Sequence, residues 1–164
     1  MAVQWVDARE AGEALIGQWQ AQHQAMRDEV ATWPVRPRVY FEEWDEPLIS
    51  GIRWVSELVD LAGGVDVFEE LGRQSLGKHR VIADPMEPVR RDPQLIVGSW
   101  CGKKFRPERV AQRPGWDAIS AVRHGQLHEI KSPLILQPGP AALTEGVARL
   151  HALCRDWVRS APIA

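Results

Sequence analysis

The sequence predicts an α/β lobe of three layers, a mostly parallel sheet between helices, preceded by one long helix. Three observations lead there. Short runs of strand formers, Val39–Phe41, Gln94–Gly98 and Leu127–Ile130, are separated by stretches whose apolar residues recur every three or four positions. Each strand-like run is followed by a helical one, the order that calls for parallel pairing with helices on both faces. Glycine pairs and prolines fall between the runs, as at Gly63-Gly64, Asp84-Pro85, Asp92-Pro93 and Gln137–Pro140.

In chain order, the first element reads as a helix over residues 7–34. Asp7 followed by Glu10 has the form of a capping box, and Pro34 stops the far end. Ala8, Ala11, Leu15, Trp19, His23, Met26 and Val30 share one face. About 25 residues at 1.5 Å each give a rod of roughly 37 Å, longer than a lobe of this size needs. The rod is therefore expected to overhang its domain, with residues 1–34 as a long helix and 35–164 as the lobe. His23 lies on the apolar stripe and reads as a packed or rim histidine.

Val39–Phe41 then breaks into Glu42, Glu43, Trp44, Asp45, Glu46 and Pro47, an acidic, aromatic loop at a strand end. Such a loop is either a ligand loop of the kind found at strand C-termini or a plain charged turn. A second helix follows from about Ser50 to Ala62, buried through Ile52, Val55, Leu58, Val59 and Ala62, and ended by Gly63-Gly64. Arg53 and Trp54 in its first turn lie close to the first strand mouth. A helical turn is expected around Phe68–Leu71, and a short helix over Met86–Arg91 limited by Pro88. Gln94–Gly98 is a buried parallel-type strand ending in Ser99, Trp100, Cys101 and Gly102. Lys103, Lys104, Arg106 and Arg109 form a basic patch, a solvated face or an anion site. The third strand exits into the rigid KSPLILQPGP loop. The last helix, from Pro140 to Val158, turns Leu143, Val147, Leu150, Leu153, Cys154 and Trp157 inward.

Composition narrows the function classes. A chain of 164 residues with 45% hydrophobic residues buries a core without staples. A net charge of −2 provides no field for nucleic acid. Two cysteines make no disulfide framework, and no Cys/His spacing suits zinc. No basic segment precedes an apolar core, and no apolar run spans a bilayer, so as encoded the chain is expected in the cytoplasm. Eight tryptophans against one tyrosine stand out, since an indole serves a core or stacks on a planar ligand. An enzyme reading rests on Cys101 as nucleophile with His79, His124 or His128 as base. No nucleophile elbow or phosphate loop accompanies them, and the chain is expected not to be an enzyme.

Four segments together carry a resemblance: RVYFEEWDEPLISGIRWVSELVDLAGG (38–64), DPQLIVGSWCG (92–102), RPGWDAISAVRHGQLHEI (113–130) and QPGPAALTEGVARL (137–150). They resemble the C-terminal half of the cobalamin/iron-siderophore class of ABC-transporter substrate-binding proteins, in particular its cobalamin-binding branch. The resemblance covers about three quarters of the chain. It implies a ligand held between two lobes joined by a long helix and delivered to a membrane permease in an extracytoplasmic compartment. Only one lobe matches, so the chain is expected to be a half-protein, pairing with a separate first lobe or with itself through exposed positions such as Trp5 and Ile16. The implied ligand is cobalamin, a related corrinoid or another metal chelate, with no cofactor required. By position, the ligand-facing residues are Glu43, Trp44, Asp45, Arg53, Trp54, Trp100, Cys101, Gly102, Leu134 and Gln137. Gln137 stands where the family has Arg, and Leu134 or Leu136 where it has an aromatic. Glu87 is the implied permease contact.

Overall fold

The computed structural model describes residues 2–160, with the side chains of residues 8–160. A five-stranded sheet lies at the centre, in the order β2-β1-β4-β5, with a short β3 beside the start of β1. β1 spans Arg38–Asp45, β2 Leu48–Ser50, β3 Val65–Asp66, β4 Leu95–Gly98 and β5 Leu127–Glu129. β4 runs parallel to β1, with Val39 opposite Leu95 and Phe41 opposite Val97, and β5 runs parallel to β4. The parallel core and the long leading helix are those expected from the sequence.

The acidic loop is different from the expectation. β1 does not end at Phe41. It continues to Asp45, turns through a cis Glu46-Pro47 peptide and returns as antiparallel β2, with Trp44 opposite Ile49. The register shifts between Glu42 and Trp44, a bulge that re-aims the strand end. Partners for these charges, which a local reading cannot see, hold the residues in extended form.

Period-two alternation divides the core. Val39, Phe41, Leu95 and Val97 face an aliphatic layer built by α1 (Ala2–Val30), α2 (Arg53–Leu61) and the C-terminal helix, while α3 (Glu69–Gly72) packs Leu71 on the other side. Tyr40 and Ile96 face an aromatic layer of Phe68, Trp100, Phe105 and Trp116, flanked by α4 (Glu87–Arg91), α5 (Pro107–Ala111) and α6 (Ser120–Arg123). Gly98 belongs to that side because a Cβ there would lie 1.9 Å from the Phe105 ring.

Past α7 (Ser132–Ile135), the expected single last helix is two segments, a π-turn over Ala142–Gly146 and α8 over Val147–Ser160. Gly146 approaches the Leu134 carbonyl so closely that a Cβ would lie 2.3 Å from it, and the wider turn accommodates that contact.

α1 begins at Ala2, so Asp7 lies inside the helix instead of capping it; its side chain, like that of Trp5, lies outside those described. Only the C-terminal half of α1 seats on the lobe, through buried Met26 and through His23, whose Nε2 is 2.6 Å from the Leu143 carbonyl. Leu15 and Ile16 are 44% and 50% exposed, so the rod overhangs as expected. His151 secures its end, stacked on Trp33 with Nδ1 3.1 Å from Ala62 O and Nε2 3.0 Å from Glu29 Oε2.

Candidate functional site

The site region is the edge where β1, β4 and β5 end. Glu42 is fully buried there. Its carboxylate accepts two hydrogen bonds from the Arg113 guanidinium, at 2.6 and 2.8 Å, and one from the Trp100 indole at 2.9 Å. Burial alone would lower the Arg113 pKa, but the Glu42 bonds and charge raise it. The next carboxylate, Glu43, grips buried Arg80 in a fork, at 2.6 and 3.1 Å. Asp45, its side chain 3% exposed, pairs with Lys103 and has Arg109 Nη1 at 3.9 Å. Each carboxylate of the strand end thus has a cationic partner from a later segment.

Those partners bring aromatic groups together. The Lys103 ammonium lies 4.3 Å from the Trp44 ring centroid and 5.0 Å from that of Trp100. The Trp44 indole donates to Glu46 O at 2.9 Å, and Phe105 meets Trp100 edge to face at 5.0 Å. Beside them opens a pocket of about 630 Å³, lined by Trp100, Gly102, Lys103, Lys104, Lys131 and Pro133 among others. Gly102 takes a left-handed φ of 75°, which turns the chain out of β4 and over the sheet edge.

Glu43, Trp44, Asp45, Trp100 and Gly102 therefore cluster at or behind this mouth. Trp100 is only 3% exposed, with the Lys103 ammonium over its ring, while Cys101 is exposed next to it. Arg53 and Trp54 face elsewhere. Arg53 pairs with Glu57 beside a polar groove on the far flank of α2. Trp54 lines an apolar groove of about 700 Å³ between α1, α2 and the 138–143 segment, and its indole donates to Ile135 O at 3.1 Å. Leu134 is half-buried against the core, and Gln137 is exposed. Glu87 is clasped by Arg90 and Arg91, each at 2.9 Å through Nε, and these bonds hold its carboxyl below the usual range.

Sequence reasoning missed Glu42, Arg113 and Lys103. The first two form the buried pair that seats Trp100. Lys103 belonged to a basic patch with two open readings, and only its fold-back onto two indoles distinguishes it. Among the described residues, no hydrogen bond joins Cys101 to a histidine. His124 Nδ1 lies 2.8 Å from Ser120 O, His128 Nε2 lies 2.9 Å from Gln126 Oε1, and burial lowers the His128 pKa.

The fold defines a class, an α/β lobe with a mouth at the C-terminal ends of parallel strands, the place where open α/β sheets usually hold ligands. The chain belongs to the periplasmic binding protein family, whose model matches residues 4–134. Among solved structures it is similar in fold to an ABC-transporter substrate-binding protein from Listeria monocytogenes EGD-e. That match has a TM-score of 0.71 at 17% identity over 88% of this chain and 57% of that one. It is also similar to the periplasmic vitamin B12 binding protein BtuF of Vibrio cholerae, with a TM-score of 0.67 at 19% identity, covering 93% and 56%. The periplasmic heme-binding protein BhuT, described in complex with two hemes, gives a TM-score of 0.70 at 21% identity, covering 94% and 59%. The chain thus spans 56–59% of the length of these structures. No curated protein is significantly similar to it in sequence. Among the described residues, no helix is long and apolar enough to cross a membrane.

Proposed function

We propose that this chain is a ligand-binding lobe that holds a corrinoid, or a metal chelate of similar size, at the mouth formed by β1, β4 and β5. One observation carries the reading: two indoles, Trp44 and Trp100, converge on a single ammonium at the rim of a pocket of about 630 Å³. Indole faces cover a macrocycle, and the exposed Gln137 offers an amide to its periphery, while Glu43 and Asp45, paired with Arg80 and Lys103, shape the strand end behind it. Cys101 and Gly102 extend the contact along the same edge, whereas Arg53, Trp54 and Leu134 belong to other surfaces of the lobe. A lobe offers one wall, so a second lobe or a second copy supplies the other. Delivery to an ABC permease involves the surface around Glu87, where a permease cation displaces Arg90 or Arg91.

Titration with cyanocobalamin, run separately on monomer and dimer fractions from size exclusion, tests the reading. Quenching of tryptophan emission is expected. No quenching in either fraction at about 100 μM ligand overturns it. A second reading, an interaction half-protein, is favoured by the exposed Leu15 and Ile16 on α1. In that case only the dimer fraction, or a mixture with a separate first lobe, responds.

A further inference from the structure

Lys103 occupies the faces that a stacked ligand needs. Its ammonium lies over both Trp44 and Trp100. An indole face can carry a cation or a planar ring, but not both in the same place. Lys103 must therefore leave before a macrocycle stacks. Its side chain is 36% exposed, which leaves it room to swing outward. Its departure leaves the nearly buried Asp45 with a second cation at hand, Arg109 Nη1, 3.9 Å from its other carboxylate oxygen.

The pocket next to Lys103 determines which ligand can draw it out. Lys104 and Lys131 line that pocket with Lys103, and neither has a carboxylate within 4.0 Å among the described residues. The acid of the lining, Glu129, already accepts the Phe105 backbone N–H at 3.1 Å. Three ammoniums thus face the pocket against one carboxylate. A neutral ligand gives Lys103 no replacement for Asp45, whereas a ligand carboxylate does.

We propose that Lys103 is both gate and charge selector of this mouth, which takes a planar ligand bearing carboxylates in preference to its uncharged counterpart. The inference rests on the reading of the mouth as a ligand site and narrows its ligand class. On binding, the ligand's ring replaces the ammonium on the indoles while its carboxylate retains that ammonium in the pocket. Lys104 and Lys131 add further partners for the same anionic edge.

Zinc deuteroporphyrin and its dimethyl ester share one planar body and differ in their two carboxylates, so they separate stacking from charge. Both are titrated by tryptophan quenching into wild type, K103A and K103M, with cyanocobalamin in parallel and circular dichroism checking the fold. Wild type is expected to prefer the diacid by about tenfold, the size of one charge-assisted hydrogen bond. Both variants are expected to lose most of that preference and to bind the ester more tightly than wild type does, because the gate is gone. A preference unchanged in the variants overturns the selector role, and ester affinity no higher than in wild type overturns the gate. If wild type binds cyanocobalamin but neither porphyrin, the anionic class is wrong while the site stands. If it binds none of the three, the site reading fails as well.

Discussion

On one face of the sheet, Val39, Phe41, Leu95 and Val97 pack against Val55, Val59, Val147 and Leu150, all aliphatic apart from one phenylalanine. On the other, Tyr40 and Ile96 meet Phe68, Phe105, Trp100 and Trp116, and the same layer encloses the Glu42–Arg113 pair. The aliphatic face needs only volume, which many side chains can supply. The aromatic face needs direction as well, because indole N–H groups and carboxylates must each meet a partner. The directional face runs into the mouth, since Trp100 hangs from Glu42. Packing on that side is thus coupled to the candidate mouth, and packing on the other side is not.

The strongest way to break this contrast is a pair of substitutions. Glu42→Ala strands Arg113 and the Trp100 indole, and is expected to cost about 4 kcal/mol in urea unfolding. Leu150→Ala on the aliphatic face should cost about 3 kcal/mol. Only the first should also weaken quenching by the mouth ligand. Equal effects of the two on ligand affinity would remove the distinction between the faces.

A subtler difference lies in two carboxylates at the opposite rim of the sheet. Asp92, on the aromatic side, is raised by burial but lowered overall by bonds from the Ser120 N–H and hydroxyl, at 2.7 and 2.9 Å, and by Arg38. Its contribution is present above the unfolded-state pKa and is lost as pH falls through the lower folded-state value. Asp66, bonded to Ser56 of α2, is raised by burial, which those bonds only partly offset. Its folded form favours the proton, so it lowers stability as pH rises through the raised value. Urea midpoints across the acid range should therefore show Asp92→Asn removing an acid-side loss and Asp66→Asn removing a loss on the alkaline side. Slopes of the same sign would contradict this. The smallest effect is expected at Arg53, whose pair with Glu57 is 76% and 63% exposed. Arg53→Ala should shift stability by no more than about 0.5 kcal/mol.

Much of the lobe was legible in the chain. Runs of strand formers marked β1, β4 and β5, Gly63-Gly64 ended α2 within a residue or two, and the length of α1 foretold its overhang. These are local or periodic signals, and burial of one face enforces them. The hairpin at Glu46-Pro47 and the π-turn before α8 were not legible. Both depend on contacts between distant segments, Arg80 with Glu43 in one case and Gly146 with Leu134 in the other.

The candidate site divides in the same way. Sequence by itself determined that tryptophans and acids stand at strand ends, because strand ends and residue types are written in order along the chain. The tertiary structure decided which of them meet. It turned Trp54 towards α1, tied Glu43 to Arg80, and folded Lys103 over Trp44 and Trp100. A charge's partner is chosen by three-dimensional proximity and desolvation, which spacing along the chain does not encode.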